Sequence, residues 1–204
     1  MSQALVIGLH QMDLLKNSAM NPSPNLNKLQ YAIVSLLFEY AKLRDPVTPL
    51  EFTLSGDFLG KFNAVVGVVE DVDEAVFLVA TLPRYTNTVF VALTRGQEME
   101  VARLLANLED YERENMMHMQ LGEVAGQPHA SEVAEFIPHA TILMPIATAD
   151  ILQSIPPVTT ITGQEVRFML VLPLSKKELE CRNTLGHDAM IDMFQKEGKS
   201  LFFH

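Results

Sequence analysis

The chain has no tryptophan and a single cysteine in 204 residues. One thiol excludes an internal disulfide and any zinc site built on paired cysteines. Cations are scarce, with 15 Lys and Arg against 25 Asp and Glu and a formal net charge of -10. A surface of that sign repels phosphate backbones and anionic lipid, so neither nucleic-acid nor membrane-surface binding is expected. Long apolar runs are missing too, and the ones present are far too short to span a bilayer. The opening residues, MSQALVIGLHQMDLLKN, lack a basic segment and a small-residue cleavage site, so no secretory leader is expected. These absences together predict a soluble cytoplasmic protein.

What is present is ample core material. The chain is 48% hydrophobic and 20% charged. Eleven methionines suggest an adaptable core, not a cofactor pocket, and no cofactor is expected. Residues 4–15 have helical apolar spacing, and NPSPN at 21–25 interrupts it. Leu26, Leu29, Ile33, Leu36, Leu37 and Tyr40 then recur at spacings of three and four, which predicts a core helix. RDPVTP ends it, because proline cannot continue a helix. Residues 62–70, 74–83 and 87–94 are rich in β-branched and aromatic side chains with short connections, the pattern of an antiparallel meander. From Gln97 to Met116 the period changes. Val101, Leu104, Leu105, Leu108 and Tyr111 make one stripe, and the acidic residues lie mostly off it. A short strand is expected near 120–124, a strand at 140–146, and one or two more within VTTITGQEVRFMLVLPL. The predicted fold is α+β, a single domain with a mixed or mainly antiparallel sheet flanked by helices. Residues 1–45 form an N-terminal helical segment packed on a domain of residues 46–204.

Several residues invite a chemical reading, and each has a plainer one. Ser175, His187 and Asp188 contain the residue types of a hydrolytic triad. Adjacent helix positions point about 100° apart, however, so His187 and Asp188 do not pair as base and orienter. Ser175-Lys-Lys-Glu178 instead has the form of a capping box. Gly186 and Gly198 stand where helices stop, and Leu179, Leu185, Met190, Ile191 and Phe194 are expected to supply buried faces. GDFLGKF at 56–62 has one residue too few between its glycines for a phosphate loop, and Phe62 follows the lysine. His118, His129 and His139 have no ligand spacing, so no metal is expected. VEDVDEAV lacks the order of a calcium loop and reads as an acidic turn.

The C-terminal stretch VRFMLVLPLSKKELECRNTLGHDAMIDMF resembles the Suppressor of fused domain. That family has an apolar strand ending in proline, a Ser/Thr-x-x-Glu helix start and a glycine-bounded second helix. ATILMPI is similar to its preceding strand, VFLVATLP to its strand ending in Leu-Pro, and VARLLANLEDYERENMMHMQLGEVAGQP to its central helix and loop. The resemblance spans about residues 50–198 and is strongest over 138–198. It implies a protein-binding module and no catalytic residues. Among small bacterial members it implies an immunity protein that neutralises a basic toxin domain. Candidate partner-binding residues come from the charge pattern: Glu109, Asp110, Glu112 and Glu114 on the second helix, and Asp71, Asp73 and Glu74 at the acidic turn. Two rival readings are a small hydrolase or other small-molecule enzyme using scattered His and acidic groups, and a secretion-type chaperone.

Overall fold

The computed structural model describes residues 26–54, 60–70, 75–126 and 140–203, with backbone alone at Asp45 and Pro46. The elements, in chain order, are α1 (Lys28–Tyr40), β1 (Leu43–Thr53), β2 (Lys61–Val69), β3 (Phe77–Leu82), β4 (Thr88–Thr94) and α2 (Glu98–Asn115). They continue with β5 (Val124–Gly126), β6 (Ala140–Pro145), two 3₁₀ turns, β7 (Val158–Ile161), β8 (Gln164–Leu174), α3 (Lys176–Leu185), α4 (His187–Glu197) and β9 (Phe202–Phe203). The readings at 4–15 and 21–25 lie outside the described residues.

One nine-stranded sheet runs β1-β2-β3-β4-β8-β6-β5, with β7 added on β8 and β9 on β4. The expected meander is there: β1 to β4 pair antiparallel in sequence order. The join to the second half is parallel, Thr88–Val91 against Arg167–Leu170. The sheet is therefore mixed and mostly antiparallel. All seven residues of β4 are buried. A strand covered on both faces reads as a continuous apolar run, which is what TVFVALT is.

The period of two along each strand assigns the core to two layers. Val89, Val91 and Leu93 of β4, with Phe168, Leu170 and Leu172 of β8, meet Ile33 and Leu37 of α1 and Met190 and Phe194 of α4. Phe90 and Ala92, with Met169 and Val171, meet Val101, Leu104, Leu105 and Leu108 of α2 on the opposite face. Fully burying each such Leu, Val or Phe stabilises the fold by about 1.5–3 kcal/mol before the cost of ordering the chain. The helix α1 thus shares a core with the sheet, and Gln30 adds a polar tie. Its backbone and side chain complete a capping box with Asn27, and its Nε2 donates to the Leu82 carbonyl at 2.9 Å.

The helix α1 ends before RDPVTP, as expected, and a strand that the sequence reading does not contain, β1, runs through that stretch. Proline lacks the N–H that a central strand needs, yet β1 lies at the sheet edge, and its register shifts between Arg44 and Thr48. Edges and bulges are where a strand accommodates proline. Leu185 is not part of a buried face; it is 72% exposed beside the left-handed Gly186 that joins α3 to α4. The short strand lies at 124–126, not 120–124.

Candidate functional site: two buried carboxylates under the central helix

The acidic residues of α2 do not share one outer side. Glu109 is 0% exposed and Glu112 1%, whereas Asp110 is half-buried and Glu114 exposed. Tyr111, expected on the buried stripe, is 48% exposed. The stripe continues through positions 101, 105, 108 and 112, at spacings of four, three and four, so Glu112 follows the apolar face toward the sheet. Glu109 lies one position past Leu108 and one helical turn past Leu105 on the same flank. The expectation that Glu109 and Glu112 form part of an exposed acidic face is therefore overturned by their burial.

Glu109 is aimed at the backbone of a distant turn, and Glu112 at a nearby amide and two distant side chains. The amides of Arg84 and Tyr85, in the β3–β4 turn, donate to Glu109 Oε1 at 2.7 and 3.0 Å. Glu112 Oε1 accepts from the Thr88 hydroxyl at 3.1 Å and from the Met119 amide at 2.8 Å. Arg167 of β8 places a guanidinium nitrogen 3.4 Å from the same oxygen and donates to Thr88 Oγ1 at 2.9 Å. His118 Nδ1 lies 3.8 Å from Glu112 Oε2 on a ring that is 56% exposed. The second oxygens, Glu109 Oε2 and Glu112 Oε2, are buried without a hydrogen-bond partner.

This environment shifts a titration. Burial is the largest influence on Glu109 and raises its pKa from an ordinary 4.5 to about 7. The Tyr85 and Arg84 amides oppose the rise, the Glu112 charge adds to it, and the Arg84 charge opposes it. A carboxyl tuned to neutrality beside a second carboxylate, an arginine and a histidine has the ingredients of acid–base chemistry. The geometry assigns it a structural task, since the bonded oxygen of each glutamate is taken by donors of the fold itself.

The remaining candidates fall elsewhere. Ser175 Oγ accepts from the Glu178 amide at 3.3 Å while Glu178 Oε2 accepts from the Ser175 amide at 2.6 Å, so the capping box is complete. His187 and Asp188 are exposed in the first turn of α4. Asp110 pairs with Arg113 at 2.6 Å. Lys61, at the end of the glycine-containing segment, pairs with Glu51 of β1 at 2.8 Å. Asp71, Asp73, Glu74, His129 and His139 lie outside the described residues. Among the described residues no three His, Cys, Asp or Glu side chains gather as metal ligands, and no helix is long and apolar enough to cross a membrane. The spacing 101-105-108-112 is the one signal that could have placed Glu112 inside; nothing local marks its donors.

Comparison with known proteins identifies this architecture. The sequence model of the Suppressor of fused protein family matches residues 78–204, more than half of the chain and every residue of the buried site. The backbone is similar to that of a suppressor of fused homologue of Neisseria gonorrhoeae, with a TM-score of 0.61 and 18% identity over 85% of this chain and 92% of that one. A chain of the Sufu–Fu complex gives a TM-score of 0.47 at 9% identity, covering 82% of this chain and 84% of that one. Drosophila Suppressor of Fused gives 0.44 at 10% identity, and the match covers 80% of this chain and 46% of the fly protein. At these identities the gonococcal likeness is one of fold. A comparison with curated proteins found no match.

Proposed function

The chain belongs to the Suppressor of fused family, and from that premise we propose that it is a non-enzymatic protein-binding module that acts in the cytoplasm as an immunity protein. The family match over residues 78–204 carries this reading. The buried carboxylates are compatible with it, because their bonded oxygens hold the fold together and leave the work to the surface. The partner is a basic protein domain of the toxin type. A chain of net charge -10 attracts such a domain over a Debye length of about 8 Å at physiological salt.

With Glu109 and Glu112 committed to the interior, the candidate acidic residues on α2 reduce to Asp110 and Glu114, and Asp71, Asp73 and Glu74 remain candidates from the charge pattern alone. Arg113 already offsets Asp110, so Glu114 is the freer charge of the two. Rim charges of this kind act mainly on the rate of association. Reversing Asp110 and Glu114 together to lysine slows association with the partner and flattens its salt dependence, with folding intact. Unchanged rates and slopes remove α2 from the interface.

The test of the function itself starts from the reading frame beside this gene, which the immunity reading expects to encode a basic toxin-like domain. Expected are a stable complex of the two purified proteins and survival of cells that express both. Full toxicity and no complex overturn the immunity reading. Binding to a different protein with no effect on toxicity retains the protein-binding module and discards immunity.

A further inference from the structure

We propose that Glu109, buried beside Glu112, is a protonation latch: a proton on its carboxyl keeps the β3–β4 turn closed on α2, and its loss releases the turn. The inference rests on counting charges and donors. Two carboxylates sit within one turn of a helix, both out of contact with water. Among the described residues Arg167 is the one Lys or Arg paired with either carboxylate, and it touches Glu112. Glu109 faces no cation at bonding distance among the described residues. Arg84 acts on it from an exposed position, and His118 stands on the far side of Glu112. The other titratable group in the turn, Tyr85, directs its hydroxyl away to accept from the Lys61 amide at 3.0 Å. Arg167 thus serves Glu112 directly, Glu109 has no such contact, and a proton on Glu109 supplies the balance.

The latch is well placed to move something. Among the described residues Glu109 is the α2 side chain that bonds to the turn, through the Arg84 and Tyr85 amides. Tyr85 in turn touches Phe62 edge-on, with centroids 5.3 Å apart, and caps the start of β2 at Lys61. Opening would free Tyr85 from α2 and change the surface shared by the β3–β4 turn and the first residues of β2. It would also put the Glu109 carboxyl in water, where it ionises as an ordinary carboxyl does.

The sign follows from linkage. The closed state keeps its proton up to about pH 7, while the open state releases it near 4.5. Opening therefore releases a proton between those values. The open population rises about tenfold for each pH unit in that window and levels off above it.

Amide hydrogen exchange by NMR, corrected for intrinsic rates, reads this directly. In the parent protein the protection of Arg84 and Tyr85 falls about tenfold per unit from pH 5 to 7, then flattens. It stays below that of the Phe90 amide, which is bonded to Thr81 in the sheet and reports global unfolding. In E109Q the protection of both turn amides is independent of pH. Protection that does not vary with pH in the parent, that falls equally in E109Q, or that merely equals that of Phe90 overturns the latch. Should E109Q fail to fold, carbon-13 titration of the Glu109 carboxyl in the parent decides the matter. A midpoint near 7 that coincides with the flattening supports the latch, and a midpoint below 5 overturns it. This test is independent of any partner, so it stands or falls apart from the immunity reading.

Discussion

Glu178 and Glu109 are the same side chain with the same kind of task, and they differ in where their donors come from. Glu178 accepts from the amide of Ser175, three residues back, and from Lys199 Nζ at 2.8 Å. Lys199 also donates to the Pro173 carbonyl at 2.5 Å, so a cation ties the start of α3 to the end of β8. Glu109 accepts from amides 24 and 25 residues back, across the boundary between α2 and the sheet. Among the described residues no cation contacts it directly, and its side chain is buried. Glu178 is a carboxylate held by a local amide and a lysine. One that serves a distant turn from inside the core is pushed toward its neutral form. Sequence neighbours thus decide the first role, and tertiary neighbours the second.

The contrast breaks most sharply at Glu112. Glu112→Ala removes the acceptor shared by Thr88, Met119 and Arg167 and leaves a guanidinium uncompensated. Removing one partner of a buried pair costs about 3–5 kcal/mol, which urea unfolding at pH 7 will register as a large drop in midpoint. Pairing Glu112→Leu with Arg167→Met recovers part of that loss, because the charge no longer lacks a partner. A double-mutant cycle with no coupling would mean that the two residues act independently.

Glu109→Gln should alter the pH dependence more than the stability at any single pH. The folded carboxyl titrates at about 7 and the unfolded one near 4.5, so its favourable contribution is complete below 4.5 and lost as pH rises through 7. The loss is about 3 kcal/mol, at 1.36 kcal/mol per pH unit. In the glutamine variant that contribution is absent, and the variant gains on the parent steadily from pH 5 to 7. Parallel stability curves for the two proteins would refute the buried titration.

The smallest effect belongs to the local box. Ser175→Ala loses one cap bond in an exposed setting, and about 1 kcal/mol is expected in the same unfolding assay. Because Ser175 Oγ is engaged by the Glu178 amide, partner affinity per folded molecule is unchanged. A variant of full stability that had lost its activity would point back to a nucleophile.

Legibility follows the same division. The capping box at Ser175, the stripe Val101-Leu104-Leu105-Leu108 and the strand runs of β2 to β4 are written in spacings of two to four residues. They could be read because helix and strand geometry repeat at those periods. The resemblance to the Suppressor of fused domain stood on the same kind of local order. β1 is not legible because its two prolines mark only the end of a helix until an edge position makes them acceptable in a strand. Glu109 and Glu112 were placed outside because charge is the usual mark of a solvated face. The phase of position 112 pointed inward, but only a donor set could make that position tolerable for a carboxylate.

By itself the sequence determined the helices α1 to α4, the strand runs of β2 to β4 and most of their apolar faces, since those depend on contacts within a few residues. The tertiary structure decided that β4 and β8 lie parallel, although more than 70 residues separate Val91 from Arg167. It also brought the Arg84 and Tyr85 amides, Thr88, Met119 and Arg167 around two glutamates of one helix. The physical reason is that a buried charge is defined by whatever desolvates and bonds it, and here those groups arrive from four separate segments of the chain.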